Sequence, residues 1–452
     1  MAKFSKDLTT GNVFKQLLLF AIPFFISNLI QSVYSVADMV ILGHFGGTNS
    51  MSAVNTSSQI VVIVTNLAMG ISGGGTVMIG NYLGAKKQEL IKSAMGTLFI
   101  TLMAMSTVMT VVLLLFTDPM LYILNVPAET FAEARAYLII NLVGLAFVFC
   151  YNALSAIMRG MGDSKTPLIF VLIACFANIL LDIILVAVFD MGAGGAAAAT
   201  IASQALSAIL CIIYLRRNNF MFDFRLSSFK FDKDSFITLM KVGLPSGVQH
   251  AATNFSFLIL TGLTNGIGGA AAGAAMGIVN KFNGFALLPD MAVSSSVSAM
   301  ISQNMGAKKS DRVKKAGNYG LVICLVISAV VFAVANLFPA QIFRLFGSDD
   351  ELIRVGVPYM RAFSFEYVFI PFIIFFNSLF MGTGHSWITL VTNTISSFAV
   401  RIPLAILLGS TLSWGVFGIG CSVPAATFSG VIVGLIFYLS GVWKKDAVAK
   451  SG

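Results

Sequence analysis

Four carboxylates lie inside long apolar stretches of the chain, where an ionised side chain is unfavourable. They are Asp38, Asp182, Asp290 and Glu366. An ionised Asp in the middle of a lipid bilayer costs roughly 2.5–3.5 kcal/mol, so it is neutralised, paired or hydrated. The chemistry open to such groups is reversible binding of a proton or a small cation.

Two of these carboxylates have a polar residue one helical turn away. Tyr34 precedes Asp38 by four residues, and Asn178 precedes Asp182 by four. Residues at this spacing lie on one face of a helix. Asp38, Asn178 and Asp182 supply the oxygens that a Na⁺ site needs, whereas a proton site needs only one buried carboxyl. The spacing fits both ions, and it also fits a structural polar pair that locks two helices together.

A second set of polar residues lies in apolar stretches of the second half and includes candidates for contact with a substrate. Asp290 follows Pro289 and is predicted either to bind a cationic substrate or to face a cytoplasmic vestibule. Gln249, His250 and Asn254 together predict a polar helix face that lines a cleft, although a satisfied core histidine fits equally well.

The remaining charges within apolar stretches favour structural roles. Glu366 has Arg361 nearby in the sequence and is expected near the outer membrane interface. Lys281, also a candidate for the substrate cleft, and Arg401 are expected to pair with a carboxylate or to extend toward the interface.

The elements that position these residues follow from composition. The chain has 452 residues, of which 57% are hydrophobic and 10% charged, against roughly 25% charged in soluble domains. Its surface must therefore face lipid, and about 20 apolar residues are needed for each crossing. We predict spans at 15–43, 50–81, 92–117, 131–159, 165–190, 192–217, 235–264, 270–302, 313–338, 352–380, 386–409 and 412–443.

The basic residues predict the orientation. Most of the 28 Lys and Arg residues lie in the two termini and in every second loop between these spans. The positive-inside rule then places both termini in the cytoplasm of a multi-pass protein of the inner or plasma membrane.

The sequence repeats itself at an offset of 222 residues. Pro23 matches Pro245, Tyr137 matches Tyr359, and the tetrapeptide that begins at Gly84 (GAKK) recurs at Gly306. Each copy holds six predicted spans and so enters the membrane in the same direction, which relates the copies by an axis along the membrane normal. The predicted fold is thus all-α and integral to the membrane, with twelve helices in two six-helix bundles. We set the N-terminal lobe at 1–217, a cytoplasmic linker at 218–234 and the C-terminal lobe at 235–452.

The four carboxylates break this repeat. Their partners at the 222-residue offset are Leu260 for Asp38, Leu404 for Asp182, Ala68 for Asp290 and Gly144 for Glu366. A shared fold needs both copies, whereas a chemical site needs only one. These unduplicated groups are therefore the first candidates for function.

No nucleotide-binding or hydrolytic motif is present. The glycines around Gly160–Lys165 lack the Gly that precedes Lys in a phosphate-binding loop, and no HExxH or GxSxG occurs. We expect no enzyme, no nucleic-acid partner and no cofactor other than a coupling ion, H⁺ or Na⁺. A bundle pair with a cleft near the membrane midplane favours a carrier that works by alternating access.

In its motifs the chain resembles the MATE (multidrug and toxic compound extrusion) family. The residues that carry the resemblance are Asp7-Leu8-Thr9-Thr10-Gly11, Pro23, Tyr34-x3-Asp38, Gly43, the two GAKK turns, Arg159-Gly160-x-Gly162-Asp163 and Asn178-x3-Asp182. Their order extends over about residues 7–443. The resemblance implies antiport of drug-like, often cationic, compounds against Na⁺ or H⁺, and hence xenobiotic export and antibiotic resistance.

The resemblance also implies which residues couple transport to the ion. In the DinF-like branch the N-terminal lobe binds the cation through an Asp of the first helix and an Asn-x3-Asp of the fifth, which match Asp38, Asn178 and Asp182. Supporting polar residues are implied at Tyr34 and Thr200, and with weaker matches at Tyr137 and Asn152. The NorM-like branch has acidic residues in its seventh and eighth helices, and here the seventh span has none.

Two other functions fit a chain of this kind. A flippase for a lipid-linked precursor would line its cleft with several basic residues, for which only Lys281 and Arg401 are available. A membrane scaffold or receptor would leave the unduplicated carboxylates unexplained. We expect a monomer embedded in the bilayer that carries small drug-like molecules.

Overall fold

The structure, a computed structural model, describes residues 4–346 and 350–448, and within those ranges its regular elements are helices. In lipid every backbone N–H and C=O must be hydrogen-bonded within the protein, and a helix bonds all of them within its own segment. The helices of the first half are α1 (Val13–Ile41), α2 (Gly47–Gly84), α3 (Gln88–Leu115), α4 (Thr117–Ile123), α5 (Ala128–Gly160), α6 (Lys165–Asp182) and α7 (Gly192–Arg217). Those of the second half are α8 (Lys233–Ala286), α9 (Leu288–Gly306), α10 (Ser310–Leu337), α11 (Pro339–Phe346), α12 (Asp350–Ser364), α13 (Glu366–Gly382), α14 (Ser386–Thr394), α15 (Ile402–Ala405) and α16 (Gly415–Leu439).

Ten segments of the described residues are long and apolar enough to cross a bilayer. Two of them are too long for one crossing, since Val13–Gly84 has 72 residues and Lys233–Ala286 has 54, against about 20 per crossing. Each is interrupted by a glycine outside the helical region, Gly47 with φ 76° and Gly269 with φ 66°. Counted as two crossings each, they confirm the twelve predicted spans.

Four π-helical turns interrupt the regular helices. One follows α1 at Leu42–Gly46, and one follows α6 at Ile183–Val188. The other two flank α15, at Ile395–Arg401 and Ile406–Thr411. Such turns are rare and occur often at functional sites.

The sequence repeat is also a repeat of backbone conformation. Lys86 and Lys308, which are equivalent positions of the two GAKK turns, have φ values of 58° and 56°. Gly162 and Gly384, another equivalent pair, have φ values of 82° and 83°. The duplication therefore extends to the conformation of the turns.

The chain divides into two compact units. The N-terminal unit consists of residues 4–7 and Ile22–Gly247, and the C-terminal unit of Leu8–Ala21 with residues 248–346 and 350–448. These limits differ from the predicted 217 and 235, which follow the repeat. The first helix passes from one unit to the other between Ala21 and Ile22, directly before Pro23.

Glycine packing explains why the start of α8 belongs to the N-terminal unit. A Cβ on Gly70 would lie 2.2 Å from the Gly247 nitrogen, and one on Gly74 would lie 2.7 Å from the Gly243 nitrogen. The backbones of α2 and α8 are thus in direct contact, as small residues allow in membrane helices.

Hydrogen bonds explain why Leu8–Ala21 belongs to the C-terminal unit. The Leu8 N–H donates to Gln303 Oε1 at 3.1 Å. The Arg312 guanidinium donates to the carbonyls of Gly11 at 2.7 Å and Leu8 at 3.0 Å. Leu17, which is fully buried, packs in the same apolar cluster as Val297.

The predicted linker, residues 218–234, packs against α3. Phe220 and Phe222 are buried, and Phe229 meets Phe99 edge-on with ring centroids 5.5 Å apart. The Asp232 N–H donates to Thr97 Oγ1 at 3.0 Å. This segment is therefore part of the N-terminal unit, which a polar and basic composition did not indicate.

Candidate functional site

Asp38 and Asp182 lie at corresponding places near the ends of their helices. Asp38 is three residues from the end of α1, and the π-helical turn Leu42–Gly46 follows. Asp182 is the last residue of α6, and the turn Ile183–Val188 begins directly after it. Each carboxylate thus precedes a change in helical geometry.

The fold brings these two carboxylates together within the N-terminal unit. The side chains of Asp38 and Asp182 lie within hydrogen-bonding reach of each other. Tyr137 on α5 interacts electrostatically with both, and Tyr34 on α1 interacts with Asp38. Residues more than a hundred positions apart in the sequence therefore form one polar cluster, which we call the carboxylate pair site.

Asn178 and Thr200 complete this site. Asn178, one turn before Asp182 on α6, directs its amide nitrogen to Thr200 Oγ1 on α7 at 3.5 Å. Asn178 and Asp182 are each only 1% exposed, and Asp38 is half-buried. The site is therefore largely shielded from its surroundings.

The site has more hydrogen-bond acceptors than donors. Asp38 Oδ1, both carboxylate oxygens of Asp182 and Asn178 Oδ1 are buried and have no hydrogen-bond partner among the described residues. Ionised carboxylates only accept, and a buried acceptor without a donor is unfavourable by about 1–3 kcal/mol. These oxygens call for a proton or a cation.

The oxygen set fits a hard monovalent cation as well as a proton. Among residues 4–346 and 350–448, no three His, Cys, Asp or Glu side chains gather as they would around a metal ion. The carboxylate pair site holds two carboxylates, and one turn before Asp182 lies the buried, unpartnered amide oxygen of Asn178. Oxygen is the ligand that hard cations prefer. Asp38, Asn178 and Asp182 are the residues that would hold Na⁺.

Gln204 is a site residue that the sequence interpretation missed. It lies one turn after Thr200 on α7, and its side chain is close enough to Tyr34 to interact with the phenol. The i,i+4 spacing from Thr200 was the available signal. Asn152, by contrast, donates to the Val148 carbonyl of its own helix at 2.9 Å.

Asp290, in the C-terminal unit, turns toward α10. Its Oδ2 accepts from Ser328 Oγ at 3.2 Å, it interacts with Cys324, and it is 1% exposed. The other cleft candidates lie elsewhere on that unit: His250, Asn254 and Lys281 are exposed and Gln249 is half-buried.

Glu366 has a charged neighbour that is distant in the sequence. Arg361 is exposed, whereas Glu366 is only 7% exposed and interacts electrostatically with Arg401. Arg361, near Glu366 in the sequence, lies on α12 and is exposed, so the two side chains have different surroundings. Arg401, predicted to pair with a carboxylate or to extend toward the interface, is buried within electrostatic range of Glu366 but forms no direct salt bridge with it.

The chain matches one family model twice. The MatE model matches residues 23–184 and 245–407, so the two matches start 222 residues apart, at the offset of the internal repeat. Together they cover most of both halves.

Similar proteins extend over nearly the whole chain. The probable multidrug resistance protein YoeA of Bacillus subtilis is 25% identical over 446 residues, covering 97% of this chain and 96% of the relative. The probable multidrug resistance protein NorM of Thermotoga maritima is 26% identical over 441 residues, covering 96% and 94%.

Solved structures share the fold. One described as the outward-facing conformation of a multidrug resistance MATE family transporter of the MOP superfamily has a TM-score of 0.91 at 20% identity, covering 98% of each chain. One described as MATE in the bent conformation has a TM-score of 0.90 at 21% identity, covering 96% of each chain.

Proposed function

The chain belongs to the MatE family, and we propose that it is a secondary active multidrug exporter that exchanges organic, mainly cationic, compounds for H⁺ or Na⁺. The names of its relatives as multidrug resistance and export proteins support the substrate class. The placement of the coupling ion at Asp38 and Asp182 in the DinF-like manner is part of the same proposal.

The observation that carries the proposal is the surplus of buried acceptors at the carboxylate pair site. Two carboxylates within hydrogen-bonding reach cannot both remain ionised without a compensating positive charge. Protonation of one carboxyl removes the repulsion between the two negative charges. A Na⁺ bound between Asp38, Asp182 and Asn178 would remove it as well. Binding of a proton or Na⁺ at the site therefore changes the electrostatic repulsion between α1 and α6.

Coupling requires that the ion and the drug prefer different states of the transporter. A ligand shifts a conformational equilibrium only by its difference in affinity for the two states. Pro23 gives α1 a place to bend, because proline lacks the N–H that would bond the carbonyl four residues before it. Cation binding at Asp38 would then act on the segment of α1 beyond Pro23.

The distribution of basic residues supports the remaining parts of the proposal. We place the protein in the plasma membrane with both termini in the cytoplasm. A single chain already contains both six-helix copies, which supports a functional monomer.

The test is transport of ethidium, a planar aromatic cation, by purified protein in liposomes without ATP. A pH gradient and a Na⁺ gradient are imposed separately on wild type and on Asp38→Asn. The matched control is Asp118→Asn, since Asp118 is an exposed carboxylate paired with Arg135. We expect one gradient to drive transport in wild type and in the control but not in Asp38→Asn.

Two results would contradict the proposal in different ways. If folded Asp38→Asn protein exports ethidium against its gradient as well as wild type does, the coupling ion does not act at the carboxylate pair site. Absence of transport with either gradient would favour a lipid-linked precursor as the substrate, to be tested with labelled lipids in the same liposomes.

A further inference from the structure

A buried charged cluster in the C-terminal unit is not used by the proposed transport cycle. Glu366 begins α13, Arg401 ends the π-helical turn before α15, and Tyr359 lies on α12. Glu366 is 7% exposed, Arg401 is 5% exposed and Tyr359 is fully buried. The guanidinium also lies 4.6 Å from the centre of the Phe257 ring.

The members of this cluster have unmet hydrogen-bonding capacity. Arg401 Nε and Nη1, Glu366 Oε2 and the Tyr359 hydroxyl are buried and have no hydrogen-bond partner among the described residues. The other Glu366 oxygen accepts from Thr427 at 3.4 Å. Glu366 and Arg401 form no direct salt bridge but are close enough to interact electrostatically. Each buried charge therefore partly offsets the other, and removal of either one is costly.

The internal repeat relates this cluster to the carboxylate pair site. Tyr359 is the repeat partner of Tyr137. Tyr137 interacts with Asp38 and Asp182, whereas Tyr359 interacts with Glu366 and Arg401. Each unit therefore has a polar cluster that contains the tyrosine at this position of the repeat.

The two clusters differ in where their positive charge comes from. The positions equivalent to Asp38 and Asp182 are Leu260 and Leu404, so the acceptor pair is absent from the C-terminal unit. There a single carboxylate, Glu366, faces a guanidinium supplied by the chain itself.

A local change in the helix accompanies Arg401. The π-helical turn Ile406–Thr411 corresponds to Ile183–Val188 in the first copy. The turn Ile395–Arg401 has no such counterpart, because the equivalent residues 173–179 lie within the regular helix α6. The second copy therefore carries one additional π-helical turn, and its last residue is the buried arginine.

We infer that Arg401 acts as a tethered cation, that is, a positive charge covalently attached to the chain. In the C-terminal unit it takes the place of the exchangeable coupling ion, which in the N-terminal unit binds at Asp38 and Asp182. The inference rests on the proposed function for the identity of that ion site. Because a covalently attached guanidinium cannot leave, Glu366 exchanges no ion, and Arg401 limits the number of coupling ions per cycle to those of the N-terminal unit.

The test asks whether removal of the tether creates a new cation site. The background is Asp38→Asn with Asp182→Asn, which removes the carboxylate pair. Thermal unfolding in detergent is followed as Na⁺ replaces choline at constant ionic strength, and separately as the pH is lowered. The variants are Arg401→Met, Arg401→Lys, and Arg401→Met combined with Glu366→Gln.

We expect Arg401→Met to gain an upward shift of its unfolding midpoint with added Na⁺ or with acid, beyond any shift of the background protein. The gain should be absent from Arg401→Lys, which keeps a tethered charge, and from the double variant, which lacks the carboxylate. Pure loss of packing would lower the midpoint of Arg401→Met but would give it no dependence on cations.

Other outcomes overturn the inference. The inference fails if Arg401→Met is folded but its unfolding midpoint shows no new dependence on Na⁺ or pH. It also fails if the upward shift of the midpoint persists when Glu366→Gln is added. If Arg401→Met folds at no Na⁺ concentration or pH while the double variant folds, the carboxylate cannot recruit a cation and the inference fails. If neither folds, Arg401→Gln replaces Arg401→Met in the same comparison. Loss of this inference leaves the transport result for Asp38→Asn unaffected, so the two proposals fail separately.

Discussion

At the carboxylate pair site, two asparagines that both resemble ligands in the sequence have different roles in the structure. Asn178 uses its amide nitrogen on Thr200 and leaves its oxygen unbonded, whereas Asn152 is bonded to the Val148 carbonyl on its own helix. Asn178 therefore joins α6 to α7 and has a buried oxygen available to an ion, whereas the bond of Asn152 stays within α5.

We therefore expect Asn178→Ala to raise the concentration of coupling cation needed for half-maximal ethidium transport. Loss of one ligand interaction of about 1.4 kcal/mol corresponds to about a tenfold rise. The rise is measured in liposomes as the dependence of the initial rate on Na⁺ or on pH. Asn152→Ala is the control and should change this dependence little; equal effects of the two variants would contradict the assignment.

His385, in the turn between α13 and α14, makes stability depend on pH. It is 8% exposed, its Nδ1 lies 3.2 Å from Thr383 Oγ1, and burial lowers its pKa below the ordinary value despite the opposing influence of Asp446. The unfolded chain therefore binds this proton more readily, and stability is lost as the pH falls below about 6.5.

Replacing this histidine should flatten that acid dependence. We expect His385→Gln to lose less of its unfolding midpoint than wild type between pH 7.5 and pH 5.5. His44→Gln is the control, since His44 is exposed. An unchanged slope in His385→Gln would show that other groups determine the acid sensitivity.

Single residues were predictable where their chemistry conflicts with an apolar segment. Asp38, Asn178 and Asp182 stand out for that reason, and the structure places them together. Arg401 was expected to pair with a carboxylate or to extend toward the interface, and Glu366 could not be chosen as its charged neighbour, because the two residues are 35 positions apart on different helical segments.

At the scale of elements, the contact between α2 and α8 tolerates no side chain. Gly70→Ala would bring a Cβ to 2.2 Å from the Gly247 nitrogen, so the two backbones must separate. We expect a loss of about 1–3 kcal/mol in the free energy of unfolding. Thermal or denaturant-induced unfolding in detergent measures it.

Gly194 in α7 provides the matched control for this prediction. A Cβ there would meet its nearest atoms at 3.7 and 3.8 Å, an ordinary contact distance. Gly194→Ala should therefore be neutral or stabilising by up to about 1 kcal/mol, because alanine favours the helix. A similar loss in both variants would show that the effect comes from glycine removal in general.

The helices themselves were largely predictable, and their interruptions were not. Runs of about 20 apolar residues identify crossings regardless of tertiary contacts. The π-helical turns and the division of the eighth span at Leu287 depend on local packing, and Pro289 in the first turn of α9 indicates such a division only in retrospect. The short helices α4 and α11 were not predicted, because apart from Thr117 they lie between the predicted spans and are too short to cross.

At the scale of the whole molecule, the basic residues predict which loops share a side of the membrane. We expect a cysteine at Gln88, the first residue of α3, to react from the cytoplasmic side only, and one at Glu129, at the start of α5, from the outside only. Both residues are exposed. A membrane-impermeant maleimide on intact cells and on inverted vesicles, with the five native cysteines replaced, measures the difference; labelling of both positions from one side would contradict the orientation.

The repeat allowed the two-bundle architecture to be predicted but not the limits of the compact units. Equivalent positions such as Pro23 and Pro245 identify the two copies. The sequence repeat alone therefore predicts a boundary between the copies. The actual limits follow from the glycine contacts of α2 and from the hold of Arg312 on Leu8, which involve partners far apart in the chain.

Because Leu8–Ala21 belongs to the C-terminal unit, this segment can reach its final contacts only late in biosynthesis. Leu8 bonds to Gln303, 295 residues later in the chain. A ribosome that adds about 5–20 residues per second needs about 15–60 s to reach that partner. During this interval the beginning of the first helix is already made, while the helices that will surround it do not yet exist. Lipid or the insertion machinery must hold this segment until late in synthesis, so the part of the protein made first is among the last to reach its final contacts.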